Sequence, residues 1–247
     1  MDLKQMLAQG VTDAKKELTC INLCLSNRCN ATCIWCPTSR GTKHNYDMPW
    51  ETAKKIIDEL SHPNYPFKTQ MIHLSENGEA LYNPDFLRIC RYIKEKLPDT
   101  AVNLLSNFGM LKSSMSKILL EENLLSSLQV NIDGHDAESY KAVKGIPYDA
   151  VMSNLLHFIN HMKDINPDFD LCINVMPAFE YAVTVGALFG RPPDQVDGEV
   201  PYSDFELVET SLRNFVPDNI RIRHSKAGLW SERRLVASGL APRHPDK

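Results

Sequence analysis

Six short apolar runs alternate with longer amphipathic ones along this 247-residue chain, and that alternation limits its fold more than any other feature. The short runs are Thr19–Leu25 (TCINLCL), Gln70–Leu74 (QMIHL), Ala101–Leu105 (AVNLL), Leu128–Ile132 (LQVNI), Phe169–Met176 (FDLCINVM) and Asn219–Arg223 (NIRIR). Each is of strand length. Between them, apolar residues recur at helical spacing. Asp47-Met48-Pro49 opens WETAKKIIDEL with an Asp cap, an early Pro and Ile56, Ile57 and Leu60 as its apolar residues. Asn83-Pro84 opens DFLRICRYIKEKL, with Phe86, Ile89, Cys90 and Ile93 on one face. Further helices are expected over Lys112–Leu120, over Asp136–Val143 with Tyr148–Met162 as a split pair, and over Ser203–Phe215. Strand and helix in alternation imply parallel strands with right-handed crossovers. Six such units predict an α/β fold, a partial (βα)6 TIM-like barrel with a parallel sheet, and ligands at the C-terminal strand ends.

Residues 178–202 (AFEYAVTVGALFGRPPDQVDGEVPY) fit this scheme poorly. Glu180–Phe189 reads as a short helix and GRPPDQVDGEVP as a loop, either a plain surface connection or a lid over a substrate. Hydrophobic content of 43%, charged content of 23% and a net charge of -4 are ordinary globular values that give no signal for nucleic acid or an anionic surface. No apolar run reaches the ~18 residues that a bilayer span needs. The first residues, MDLKQMLAQGVTDAKKELTC, resemble neither a signal peptide nor a lipidation signal. The seven cysteines are Cys20, Cys24, Cys29, Cys33, Cys36, Cys90 and Cys172. An odd number in a chain of this size argues for a reducing, cytoplasmic setting and for metal or redox chemistry rather than a disulfide framework.

Three of these thiols fall within CNATCIWC, as Cys29-x3-Cys33-x2-Cys36, at the C-terminal end of the first expected strand. Three thiolates on one short loop can wrap one metal centre. Structural zinc usually takes four protein ligands, commonly as two separated pairs, and no second pair follows here. His44 is the nearest candidate for a fourth ligand, at a spacing that matches no zinc pattern. A [4Fe–4S] cube normally takes four cysteines, so three leave one iron open to a substrate or cofactor.

This loop, with Trp35 before its last cysteine, resembles the signature of radical S-adenosylmethionine (radical SAM) enzymes. The resemblance implies that Cys29, Cys33 and Cys36 hold a [4Fe–4S] cluster, that the amino and carboxylate groups of S-adenosylmethionine (SAM) chelate the fourth iron, and that reductive cleavage yields a 5'-deoxyadenosyl radical which abstracts hydrogen from a substrate. It places Trp35 near the adenine. It continues in family order over about residues 18–225. Ser75-Glu76-Asn77-Gly78-Glu79-Ala80 is similar to the family's Gly-Gly-Glu-Pro segment, with Asn77 and Ala80 as departures, and LYNPDF follows it as in the family. There Gly78 and Glu79 would meet the SAM amino group, a carboxylate beside an ammonium. Leu105-Ser106-Asn107-Phe108-Gly109 resembles the Thr-Asn-Gly turn, and Val130-Asn131-Ile132-Asp133-Gly134 the Ser-x-Asp-Gly segment. Ser106, Asn107, Asn131 and Asp133 would then bond the SAM ribose or carboxylate. Turn chemistry alone also favours Asn and Asp at such positions.

The layout is most similar to the SPASM/twitch-like branch, whose members carry cysteine-rich auxiliary domains. RIRHSKAGLW resembles the approach to such a domain, yet no cysteine follows Cys172. The expected organisation is an extension over residues 1–17, a core barrel over 18–225 and a tail over 226–247, possible start of a missing auxiliary domain. Implied partners are an electron donor such as flavodoxin or ferredoxin and an unknown substrate, a peptide or protein or else a sugar or nucleotide-type molecule, with no membrane partner. A non-catalytic metal-binding or SAM-binding module is the competing reading. Arg221, Arg223 and His224 are candidates for a SAM or anionic-substrate contact, as are Glu180 and Tyr181 for substrate. His157 and His161, four apart on a helix, read as surface residues, and Cys20, Cys24, Cys90 and Cys172 as core or barrel lining.

Overall fold

Among the described residues eight strands form in chain order: β1 (Glu17–Leu18), β2 (Ile21–Asn22), β3 (Lys68–Thr69), β4 (Met71–His73), β5 (Ala101–Ser106), β6 (Ser127–Asn131), β7 (Asp170–Val175) and β8 (Arg221–His224). This computed structural model describes residues 17–18, 20–33, 36, 45–75, 78–175 and 205–224. Six helices lie among the described residues: α1 (Trp50–Leu60), α2 (Phe86–Lys96), α3 (Ser113–Glu121), α4 (Ala137–Lys144), α5 (Tyr148–Ile165) and α6 (Phe205–Arg213). A 3-10 turn covers Ala80–Tyr82.

The main sheet has six strands, all parallel, in the order β2-β4-β5-β6-β7-β8. Each strand therefore lies beside its predecessor, and the winding never reverses as it does in a doubly wound sheet. Crossovers of one hand would put the described crossover helices on one face. That face is apolar: Ile72, Leu74, Val102, Leu104, Leu128, Val130, Leu171, Ile173 and Val175 are buried in a single core with Ile57, Phe86, Ile89, Ile93, Leu119, Leu155, Phe158, Val208 and Leu212 from the helices. At about 25 cal/mol per Å² of apolar surface removed from water, this layer dominates the favourable free energy of the fold.

The other face differs from the apolar interior of a closed eight-stranded barrel. Register aligns Asn22 with His73 and His73 with Asn103. It aligns Leu105, Gln129, Cys172 and Arg221 in one row, and Asn131, Asn174 and Arg223 in the next. Aligned residues of parallel strands share a face, and alternate residues of one strand do too. The surface turned away from the helices is thus largely polar, which suits a binding face better than a packed core.

The expected strands and helices form, with shifted ends. Within the first run, Thr19–Leu25, only β2 (Ile21–Asn22) forms and pairs with β4, while β1 lies just before the run and pairs separately with β3. Pairing stops after Leu23, whose N–H still donates to His73 O at 2.7 Å, because Leu25 O is taken by Met48 N–H and by the Asn83 side chain. Asp47 does not cap α1. Pro49 occupies the N-cap position, and the Asp47 carboxylate bonds to Ser26 and Arg28 instead. Cys20 is exposed rather than packed, while Cys90 and Cys172 are buried. The loop and short helix expected within 178–202, with Glu180 and Tyr181, lie outside the described residues, as do His44, Trp35, Asn77 and the tail 226–247. No described helix is long and apolar enough to cross a membrane.

Candidate functional site

The cysteine loop leaves β2 and returns to α1 through a narrow, heavily bonded neck. Ser26 and Asp47 form an isolated antiparallel bridge. Asn27 N–H donates to Tyr46 O at 3.0 Å, Tyr46 N–H to Asn27 Oδ1 at 2.7 Å, and Met48 N–H to Leu25 O at 2.8 Å. The Asp47 carboxylate accepts from Ser26 Oγ at 2.6 Å and from the Arg28 guanidinium at 2.9 Å. That guanidinium stacks over the Tyr82 ring, 4.5 Å from its centroid. Charge-assisted bonds and a cation–π contact thus hold the base of the loop against the sheet edge.

Two other strand-end turns dock on the loop. Gly78 follows β4 with φ +94°, a left-handed conformation that strains any other residue. A Cβ there would stand 2.6 Å from Ser26 O, so the backbone approach itself requires glycine. Next to it, Glu79 N–H donates to Arg28 O at 2.7 Å. The Glu79 side chain is only 2% exposed. It accepts from Asn107 N–H at 2.8 Å and Leu81 N–H at 3.4 Å. Burial pushes its pKa up to about 7 against the pull of those N–H donors, Ser106 and Lys144. Ser106, also 2% exposed, accepts from Phe108 N–H at 3.0 Å.

Asp133 and Lys144 meet beneath the loop. Their side chains are 0% and 5% exposed and form a 2.6 Å ion pair. Burial works against the lysine charge, but Asp133 outweighs it and holds the pKa above the ordinary value. The carbonyl of Lys144 accepts Thr32 N–H at 2.8 Å, so the C-terminus of α4 is bonded directly to the cysteine loop. Asn131 stands apart, on the polar sheet face, where it accepts from Asn174 Nδ2 at 3.0 Å. Asn174 Oδ1 in turn accepts from Arg223 Nε at 3.3 Å, and Gln129 Oε1 from the Arg223 Nη2 at 3.0 Å.

The three loop thiols are half-buried, and no disulfide joins any of the seven cysteines. Cys36 N–H donates to Cys33 O at 3.1 Å. Burial raises the pKa of Cys29, and raises that of Cys33 to about 11 although Lys144 pulls it down. Metal binding must therefore displace protons from these sulfurs. Among the described residues, no three Cys, His, Asp or Glu side chains already converge on a metal position. Such sites seldom pre-form without their metal. The donor set itself fits an iron–sulfur cluster, since it offers three soft thiolates on one anchored loop.

The structure thus gathers Cys29, Cys33, Cys36, Gly78, Glu79, Ser106, Asn107 and Asp133 around the neck, and puts Asn131 on the adjoining sheet face. Arg28, Asn30, Asp47, Lys144, Gln129 and Asn174 belong to the same region and were not anticipated. Gln129 alternates with Asn131 on β6, but Asn174 and Arg223 join them only through strand register. His161 bonds Ser113 Oγ at 2.9 Å, a helix–helix contact.

The family model described as the radical SAM superfamily matches residues 23–177, well over half the chain. None of the curated proteins matches it. Among solved structures, native anSMEcpe with bound AdoMet and Cp18Cys peptide has a TM-score of 0.56 at 14% identity, covering 85% of this chain and 51% of that one. Streptococcus suis SuiB bound to S-adenosylmethionine has a TM-score of 0.57 at 12% identity, covering 92% and 55%. The chain spans about half the length of these neighbours, and at such identities they speak for a common fold. A family match along the strands and turns that build the site makes this chain a member of the radical SAM superfamily, whose cofactors are a [4Fe–4S] cluster and S-adenosylmethionine.

Proposed function

We propose that this chain is the catalytic barrel of a radical SAM enzyme, with Cys29, Cys33 and Cys36 as the cluster ligands. The observation that carries this reading is the anchored three-thiol loop at the C-terminal end of the first strand, with the turns after β4 and β5 bonded to it. When bound, the cluster supplies the electron that cleaves SAM to methionine and a 5'-deoxyadenosyl radical able to abstract hydrogen from a substrate. The chain's own residues hold and shape. Arg28, Asp47 and Ser26 fix the loop base. Gly78 lets the second turn approach it. Trp35, Gly78, Glu79, Ser106, Asn107, Asn131 and Asp133 form or support the SAM pocket. Some act through backbone position rather than a side-chain contact, because Glu79, Ser106 and Asp133 are buried.

The polar sheet face, with Asn103, Asn131, Asn174 and Arg223, then receives the substrate. A peptide is the first candidate, since anSMEcpe and SuiB share the fold and have been solved with peptides. The Asn, Gln and Arg side chains on this face also suit a sugar or nucleotide-type molecule. The remaining assignments proposed are a core over residues 18–225, a tail over 226–247 leading toward a SPASM-like domain, a flavodoxin or ferredoxin as electron donor, and a cytoplasmic setting.

The test is anaerobic. Protein reconstituted with iron and sulfide, reduced with dithionite and given SAM should form 5'-deoxyadenosine and methionine in equal amounts. A cluster-loaded chain that yields neither rules the reading out.

A further inference from the structure

We infer that Asn107 is a positioning residue for the cluster ligand Cys29, acting through an N–H···S bond, rather than a direct contact to SAM. This rests on the proposed role of Cys29. The amide of Asn107 is fixed at every atom. Its Oδ1 accepts Gly109 N–H at 2.8 Å, which decides the orientation of the group and turns the NH2 the other way. Its Nδ2 donates to Asn30 Oδ1 at 2.9 Å and reaches Cys29 Sγ at 3.5 Å. Its backbone N–H donates to the buried Glu79 carboxylate at 2.8 Å. With one amide hydrogen toward Asn30 and the other toward the sulfur, no donor remains for a ribose or a carboxylate.

The turn is shaped around this contact. Phe108 adopts φ 59°, a left-handed conformation seldom used by a bulky residue, and its ring is fully buried. A Cβ on Gly109 would lie 2.3 Å from Asn30 Nδ2 and 3.0 Å from Asn107 Oδ1, so any larger residue would push the two amides apart. Cys29 Sγ receives a second donor, Ala31 N–H, at 3.4 Å. Two N–H groups aimed at one thiolate withdraw charge from it. Hydrogen bonds to cluster sulfurs favour the reduced, more negative state and set the reduction potential.

The experiment is a redox titration of the reconstituted cluster without SAM, followed by the EPR signal of the reduced form, beside a separate SAM-binding titration. Variants are Asn107→Leu, close in shape but without the donor, Asn107→Ser, and Asn30→Ala, which removes the other partner of the same amide and leaves the sulfur contact. Asn107→Leu and Asn107→Ser should shift the midpoint to more negative potential, so that less cluster is reduced at every poise, and Asn30→Ala should shift it less. SAM affinity should change by less than about tenfold, the lower end of what an outer-shell substitution costs. Wild-type midpoints in both Asn107 variants, with SAM binding lost, would overturn the inference in favour of a direct SAM contact. If both variants fold by circular dichroism but take up no cluster, Cys29 depends on its donor and the inference stands. If both unfold, the role is structural and it fails. A wild-type chain that takes up no four-iron cluster refutes the proposed function itself, which is a separate result.

Discussion

Cys36→Ala should drop the iron content of the reconstituted protein well below that of the wild type and reduce 5'-deoxyadenosine formation by more than about a hundredfold, beyond the range that outer-shell partners reach. Cys29→Ala and Cys33→Ala should do the same. Three thiolates are the smallest set that leaves one iron open, so loss of any one leaves a second iron without its protein ligand. Cys90→Ala is the control. Cys90 is fully buried on α2, with its thiol pushed up to about 12 by burial, so it packs as a small apolar group. That substitution should lower stability and leave iron per folded chain unchanged. Iron and sulfide analysis with product chromatography measures both. Full activity in Cys36→Ala would refute its assignment as a ligand.

Lys144→Met should lower the stability of the metal-free chain by about 3–5 kcal/mol, the cost of stranding one partner of a buried ion pair. For a chain of this size, that is on the order of 10 °C in thermal midpoint. The Asp133 carboxylate is fully buried and loses its 2.6 Å partner. The double variant Asp133→Leu with Lys144→Met should recover much of the loss, because a well-packed apolar pair often replaces a buried ion pair without penalty. Thermal melts of the wild type, the two single variants Asp133→Leu and Lys144→Met, and the double variant complete the cycle. A loss under about 1 kcal/mol in Lys144→Met, as at an exposed pair, would contradict burial of this pair.

The single-wound sheet was legible because the apolar runs have two clear periods. Phe86, Ile89, Cys90 and Ile93 showed the buried face of α2 without any tertiary information. Element ends were less legible, since they depend on distant partners. Asp47 has the local look of a helix cap, but Ser26 and Arg28, 21 and 19 residues away, claim its carboxylate. The cysteine loop stood out by its spacing, and the glycine of the second turn through the resemblance of its segment to the family's Gly-Gly-Glu-Pro. The positions of their neighbours did not. Asn107 looks like an ordinary turn residue until Cys29 and Asn30, 78 and 77 residues earlier, are placed against it. Asp133 precedes α4 and Lys144 is its last residue, and only the folding of α4 onto the loop turns them into a buried pair. The polar sheet face was hidden for the same reason: Gln129, Asn131, Asn174 and Arg223 come from three strands and share a surface only in register.

The central claim is that the three-cysteine loop holds a four-iron cluster with one iron left for SAM. EPR of the dithionite-reduced, reconstituted protein before and after SAM addition tests it most directly. The account predicts a reduced [4Fe–4S] signal whose g-values shift when SAM is added, with SAM bound at one per cluster. A full four-iron signal that SAM leaves unchanged would contradict it, as would a metal centre that holds zinc and no iron.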